Sequence, residues 1–501
     1  MLIGEDKKRL QQIQVVPSQW MRSPLRFRVS SPSDARLRKR AERALYGQIN
    51  KRWLSEAPDS QTHPLYSSAM RVRPLALWLV LLFAGRGAQA QAPQPASSIV
   101  VKSAKILDVR QGSYLENAAI WIEGDRIKEV GAAGDILGHA PKNARVIDLG
   151  QLTVVPGLID CHTHLMSRMP GGPDSYTLTL ATKSQAFRAL EGAYNARLTL
   201  RAGFTTVRDV ENEGSGYADV ALRDAIEQGL AEGPRMQVAT RAIAAVGQYN
   251  PFGVSPDLRD FPTGAQMVSG VEESRRAVRE QIGYGADLIK VYADWEHPTL
   301  TVEEIRVVVE EAHKQGRKVA AHAGTPEGIR NAVTAGVDSI EHGHEADRQS
   351  LELMKKQGTF LVPTIGGIDL HFENPANAPK TPQQQERRKA FLEAIQQSMR
   401  DAIELNVKIA LGFDASSPER QGKNAFELVA MTKRGMSPLA AIRAATVNAA
   451  ELLGWQDRVG AIEAGKYSDL IAVEGDPLNN VALLQNVSFV MKGGTVVKGL
   501  Q

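Results

Sequence analysis

Between residues 151 and 414 the chain repeats one pattern eight times: a short apolar, β-prone run followed by a stretch of loop or helix character. The runs are QLTVVPGLID, FTTVRD, MQVATR, DLIKVY, KVAAHA, DSIEH, TFLVPT and VKIALGFD. The stretches between them carry apolar residues at helical spacing. In TVEEIRVVVEEAHKQG, for instance, Ile305, Val308, Val309 and Ala312 form one stripe, Thr301 with Glu304 makes a capping box, and Gly316 supplies the stop. Alternating β and α units of this number and length predict an α/β protein whose main body, residues 156–458, is a closed (β/α)8 TIM-like barrel. An open doubly wound sheet is the alternative, but no glycine-rich phosphate loop follows the first run.

The flanking segments differ in kind. Residues 98–155 read as short strands, with AAIWIEG and RIKEVG joined at Gly124-Asp125, a hairpin signal. Residues 459–501 again give strands and tight turns in DLIAVEG and VSFVMKGGTVVKG. Two β-rich ends predict a small β-sandwich domain assembled from both. The long segments 170–182, 244–268 and 366–384, which would build the substrate pocket, carry no readable motif.

Alternate residues of an extended run share a face, so His162 and His164 of GLIDCHTHLMS project together. They are either a chelating pair or a hydrogen-bonded core histidine beside a loop residue. Lys290 lies late in DLIKVY, His322 ends KVAAH, His342 ends DSIEH and Asp414 ends VKIALGFD. Six groups of metal-ligand type thus fall near C-terminal strand ends, which converge on one rim of a barrel. Four imidazoles and a carboxylate, without thiolate, favour zinc, with manganese or cobalt as alternatives, over calcium or magnesium. Lys290 fits poorly, because an ammonium with a reference pKa of ~10.4 repels a dication unless it is deprotonated or converted to an anion. Tyr292 shares a face with Lys290 and is either a donor to an oxyanion or a packed aromatic. Arg208 either meets a substrate carboxylate or pairs with Asp209 or Asp160.

The chain has 501 residues, 43% hydrophobic and 23% charged, enough for one large domain and a smaller one, and its composition excludes disorder or fibre. A net charge of +4 hides an asymmetry: residues 1–90 hold 16 Lys/Arg against 6 Asp/Glu, so the body is mildly acidic. No basic stripe points to nucleic acid. The single Cys161 excludes an intramolecular disulfide and any cysteine-based zinc cluster. Residues 70–90, MRVRPLALWLVLLFAGRGAQA, read as a secretory signal: Arg71 and Arg73, an apolar run from Leu75 to Ala84, then Ala88-Gln89-Ala90. That run falls short of the ~20 residues that cross a bilayer, so no stable membrane insertion is expected. Residues 91–97 form a linker, and residues 1–69, rich in Arg and Ser, are an extension that is disordered or no part of the mature protein. Translation from Met70 implies export to the periplasm or the medium; otherwise the protein is cytoplasmic.

GLIDCHTHL, TTVRD, DLIKVYAD, AAHAG, SIEHG and LGFDAS, in this order, resemble the amidohydrolase superfamily, and GAIEAGKYSDLIAVEGDPL is similar to its C-terminal sheet segment. The likeness covers residues 98–501 and is greatest to the imidazolonepropionase-like branch that includes Xaa-Pro and related dipeptidases. It implies that Lys290 is N-carboxylated by CO2 and bridges two divalent cations, one held by His162, His164 and Asp414, the other by His322 and His342. By the same resemblance Asp414 takes the proton of the attacking water and passes it to the departing amine. The IEHG pattern selects His342, leaving His344 as its support or as a substrate contact. The loop VGQYNPFGVSP departs from the Gly-Gly-His form of some relatives, with Tyr249 as a candidate substrate contact instead. The implied activity is hydrolysis of the amide bond of small carboxylate-bearing substrates, as in a dipeptidase for Xaa-Pro or similar peptides, by a homo-oligomer. The alternatives are an amidase of N-acyl amino acids or ochratoxin-like aryl amides, an imidazolonepropionase, and a catalytically silent scaffold.

Overall fold

Seven parallel strands stand side by side in the computed structural model, which describes residues 98–169, 175–249, 254–255, 257–258 and 260–499. They are Leu158–Thr163, Phe204–Asp209, Arg235–Val238, Leu288–Tyr292, Lys318–Ala323, Ser339–His342 and Phe360–Val362. Each pairs with the next in parallel register, except that the third and fourth meet through the Asp287 N–H donating to Val238 O at 2.8 Å. The eighth run, VKIALGFD, is an irregular extended segment rather than a regular strand. It closes the ring nonetheless: Ile409 bridges Leu361 in parallel, Cys161 N–H donates to Leu411 O at 2.8 Å, and Asp414 N–H donates to His162 O at 2.9 Å. Gly412 permits this closure, since a Cβ there would run into Val362 and His162.

Helices cover the outside for the reasons the sequence gives. Helix Val302–Lys314 has its capping box and buries Ile305, Val308, Val309 and Ala312. Helix Pro326–Ala335 starts with Thr325 as cap and proline in the first turn, and stops at Gly336 with φ +100°. Ile289 and Val291 share one core with Ile305 and Val308, so they face the helices. Lys290 and Tyr292 therefore face the barrel interior, above the layer formed by Leu288, Ala320, Val210 and Ala239.

Three stretches depart from the expectation. Strand Ala242–Ala245, which runs into the 244–268 segment that carries no readable motif, pairs in parallel with Ala265–Val268 inside it, and Ile243 pairs with Val291. Helices Ser175–Thr182 and Ile365–Glu373 occupy much of the other two stretches. Alanine-rich runs such as AIAA lack the β-branched signature, and their pairing is decided by the barrel beside them.

The chain ends build a single mixed sheet of eight strands. Strand Leu470–Val473 pairs antiparallel with Thr153–Pro156, which joins the two ends. Strand Ser98–Asp108 forks, pairing with Arg145–Asp148 along one half and with Thr153–Val154 along the other. The Gly124-Asp125 turn is a two-residue hairpin, with Glu123 opposite Arg126 and Gly124 at φ +63°. Ile99, Ile120, Val154, Leu470 and Phe489 share one apolar core, so both ends bury the same face. The expected extension, signal segment and linker, residues 1–97, lie outside the described residues. Among the described residues no helix is long and apolar enough to cross a membrane.

Candidate active site

One cavity of about 270 Å3 at the C-terminal rim is lined by His162, His164, Lys290, His322, His342 and Asp414. Their polar atoms converge. His162 Nε2 lies 3.2 Å from His164 Nε2 and 4.0 Å from Asp414 Oδ1, and His164 Nε2 lies 3.3 Å from the same oxygen. The His342 ring centroid is 4.9 Å from that of His162 and 4.4 Å from that of His322. Lys290 is 1% exposed, and its Nζ sits 5.3 Å over the Tyr292 ring.

Buried partners fix the ring orientations. His162 donates from Nδ1 to Glu341 Oε2 at 2.7 Å, which leaves Nε2 as a lone pair facing the cavity. Glu341 Oε1 accepts in turn from Arg208 Nη2 at 2.6 Å and from Ser339 Oγ at 2.5 Å. This corrects the reading of Arg208. It is 2% exposed, donates to Cys161 O at 2.6 Å, and pairs with Glu341 rather than with substrate, Asp209 or Asp160. His164 Nδ1 lies 2.8 Å from Glu213 Oε1, a close ionic contact without the alignment of a hydrogen bond. His342 Nδ1 is held at 2.8 Å by Thr364 Oγ1. Asp160 accepts from His162 N–H at 2.9 Å, Phe413 N–H at 3.2 Å and Asn424 Nδ2 at 2.7 Å, tying the first stave to the eighth.

The backbone is strained where the site is assembled. His342, Thr364, Asp414 and Glu213 have φ of +74°, +52°, +59° and +55°, the left-handed region that non-glycine residues avoid. His342 shows the reason. Ile340 faces the helices and Glu341 the interior, so strict alternation would turn His342 outward; the left-handed residue brings it to the cavity beside Glu341.

Burial pushes the pKa of His162, His322 and His342 well below the ordinary imidazole value, and the Lys290 charge acts in the same direction on each. Burial likewise lowers that of Lys290. Burial also disfavours the charged His164, but the Glu213 carboxylate outweighs it and raises the pKa to about 9. Neutral imidazoles expose lone pairs, and while no cation is bound the Glu213 charge favours a second proton on His164. Among the described residues, His162, His164 and Asp414 place one ligand atom each within 4.8 Å of one another, a donor set that fits a divalent cation.

The remaining candidates sort by position. Tyr292 lines the cavity and donates its hydroxyl proton to Glu211 Oε2 at 2.5 Å. Tyr249 also lines it, bonds to Glu211 and lies 3.1 Å from Tyr176 OH. His344 Nε2 donates to Pro363 O at 3.1 Å, its ring is 5.4 Å from that of His342, and burial lowers its pKa to about 4. Glu211, Glu213, Glu341 and Trp295 were not singled out from the sequence. Burial and the Glu213 charge raise the pKa of Glu211 to about 7. The one available signal was VENEG, two acids at alternate positions directly after a stave.

A closed parallel barrel with histidine, lysine and aspartate side chains gathered at its C-terminal rim has the layout of a barrel enzyme, whose active sites lie on that face, with a donor set that fits a cation. The chain belongs to the amidohydrolase family, whose profile matches residues 153–497, and within it to the imidazolonepropionase-like branch, so it is a hydrolase acting on C–N bonds. It is 32% identical over 443 residues to an ochratoxinase from Aspergillus niger, covering 80% of this chain and 87% of the relative. It is 25% identical over 425 residues to an imidazolonepropionase from Shouchella clausii, covering 78% of this chain and 87% of that one. A crystal structure of a Xaa-Pro dipeptidase with methionine bound in its active site superposes with TM-score 0.71 at 34% identity, covering 80% of this chain and all (100%) of that one.

Proposed function

We propose that the protein is a dipeptidase of the prolidase type, hydrolysing the amide bond of small substrates that bear a free carboxylate. The observation that carries this reading is the convergence of the six ligand-type side chains on one cavity of about 270 Å3. The likeness to a Xaa-Pro dipeptidase supports the narrower substrate class. The likeness to an ochratoxinase favours a second reading on the same site, an amidase of N-acyl amino acids or aryl amides.

His162, His164 and Asp414 would hold one divalent cation, zinc in the first instance, and His322 with His342 a second. When bound, such ions polarise the scissile carbonyl and lower the pKa of water to a value that makes it a nucleophile near neutrality. Lys290 is suited to join both sites as a carbamate. Its amine, biased by burial toward the neutral form, attacks CO2; a C–N bond forms, one proton leaves to solvent, and the neutral amine becomes a carbamate anion. Asp414, with a side chain 33% exposed, can take the proton of the attacking water at its carboxylate and deliver it to the leaving amine. Tyr292 supplies an oxyanion donor only by giving up its bond to Glu211.

The test is turnover of Xaa-Pro dipeptides, N-acyl amino acids and aryl amides by protein loaded with zinc and bicarbonate. Hydrolysis of Xaa-Pro peptides is expected to be fastest. Turnover of imidazolones or lactones, with none of any amide, would overturn the proposal, and protein that takes up no metal and turns over nothing would point to the scaffold. Export is proposed on the segment from Met70, and N-terminal sequencing of the mature protein is expected to begin at Gln91.

A further inference from the structure

Directly after the strand Leu288–Tyr292 the chain makes a tight loop that is bonded at each step. Thr299 N–H donates to Ala293 O at 2.9 Å, Thr299 Oγ1 to Tyr292 O at 2.9 Å and Trp295 N–H to His297 O at 3.2 Å. Asp294 bridges Pro298 and is itself anchored by the N–H groups of Gly324 and Thr325 at 2.9 and 2.8 Å. What this bracket presents is Trp295. Its indole stacks on Tyr292, with centroids 4.8 Å apart and planes at 23°, and lies 4.6 Å from the His322 ring. Its Nε1 donates to Gln248 O at 2.6 Å. The side chain is thus locked from two directions while remaining half-buried.

A second cavity of about 630 Å3 lies outside the first, walled by Trp295, Pro298, His322 and Gln248 with the exposed Glu296 and His297 at its edge. The two cavities share Trp295 and His322. The inner one, about 270 Å3, lies just under the ~300–1,000 Å3 of typical small-molecule sites, and the outer one offers further room beside it. Whatever extends from the scissile amide toward His322 must pass the indole.

We propose that Trp295 and the outer cavity form a specificity subsite for a flat aromatic group on one side of the scissile amide. The assignment rests on the amide-hydrolase reading above. A large aromatic surface held in place before binding loses little rotamer freedom on stacking, and offset or edge contacts with a second ring add to simple burial. Pro298 supplies the apolar flank, and the polar edge keeps the opening wetted.

The experiment compares kcat/KM for Phe-Ala, Ala-Phe and Ala-Ala in the metal-loaded enzyme and in Trp295→Ala and Trp295→Leu. The wild type is expected to prefer one of the phenylalanine peptides over Ala-Ala by roughly 10- to 100-fold. In Trp295→Ala that ratio falls to near unity, and Trp295→Leu, which keeps apolar bulk for Tyr292 to pack on but has no flat ring, loses the ratio as well. A ratio unchanged in the variants, whatever their absolute rates, or no aromatic preference in the wild type, overturns the proposal. Calorimetric titration with L-phenylalanine and L-alanine is independent of turnover. If no dipeptide is cleaved the amide-hydrolase reading fails, and the subsite then stands or falls on whether phenylalanine binds at least about tenfold tighter than alanine to wild type and not to Trp295→Ala.

Discussion

His162 and His164 each have a carboxylate behind the ring, Glu341 at 2.7 Å and Glu213 at 2.8 Å, whereas His342 rests on the Thr364 hydroxyl and His322 lies among the rings of Tyr292, Trp295 and His342. For His162 the hydrogen-bonded carboxylate at Nδ1 fixes the tautomer and makes Nε2 a stronger metal ligand, while Glu213 lends His164 its charge without an aligned hydrogen bond. With Asp414 added, the first half of the rim is a complete anionic ligand set built from side chains as the ribosome makes them. The second half is two imidazoles and a buried lysine, whose charge disfavours a dication until the amine is neutral or carries an anionic group. The difference teaches that the two proposed ion sites depend on different things: one on second-layer carboxylates, the other on chemistry at Lys290.

The largest effect is expected from breaking the first half at its carboxylate. Asp414→Asn should reduce amide hydrolysis by roughly 10^3-fold, measured by steady-state kinetics, with metal analysis showing loss of the tighter-bound ion. Activity within tenfold of wild type would remove Asp414 from both roles. Lys290→Ala sharpens the comparison, because it should strip the second ion and leave the first, with activity down roughly 10^2-fold. In wild-type protein equilibrated with 13C-bicarbonate, NMR should show a carbamate carbon that the variant lacks. Loss of both ions in parallel would mean that the halves are one site.

A smaller effect should come from the layer beneath. Glu341→Gln leaves the Arg208 guanidinium buried without its counter-charge, at a cost of about 3–5 kcal/mol in urea unfolding. It also weakens the first ion by roughly 10- to 100-fold, whereas Thr364→Val behind His342 should cost only about 1 kcal/mol. Equal effects would erase the asymmetry.

The smallest effect concerns Asp209, whose Oδ2 accepts from Leu165 N–H at 2.7 Å and Thr163 Oγ1 at 3.0 Å while Oδ1 is buried without a partner. Burial raises its pKa to about 8, so the folded state holds a proton that the unfolded chain releases near pH ~4. The native state binds more protons across that window, and stability therefore falls as pH rises from about 4 through about 8. Asp209→Asn should match wild type within ~1 kcal/mol below about pH 4 and become progressively the more stable protein as pH rises from about 4 to about 8. Parallel stability–pH curves for the two would show that Asp209 is ionised in the fold.

Much of this site was legible along the chain. The period of two within a run put His162 with His164 and Lys290 with Tyr292 on shared faces, and the alternation of runs with helical stripes placed the run ends on one rim. His342 was found from its place at the end of DSIEH and from the IEHG pattern; what the sequence did not show is that it reaches the cavity by a left-handed residue. Arg208 was misread because its partner, Glu341, lies 133 residues further along the chain. The strands Ala242–Ala245 and Ala265–Val268, AIAA and AQMV, were invisible because each is four residues long with a single β-branched residue, too little to stand out as a strand.

By itself, then, the sequence determined the barrel, the shared sheet of the two chain ends and the six rim side chains, because strand and helix periods and turn residues are local properties that any window of the chain expresses. Only the tertiary structure decided which carboxylate stands behind which histidine, that Tyr292 is tied to Glu211, and that Trp295 divides an inner cavity from an outer one. Those pairings join staves far apart in the chain, and a contact across a closed barrel is set by register and side-chain packing, for which neighbouring residues carry no signal.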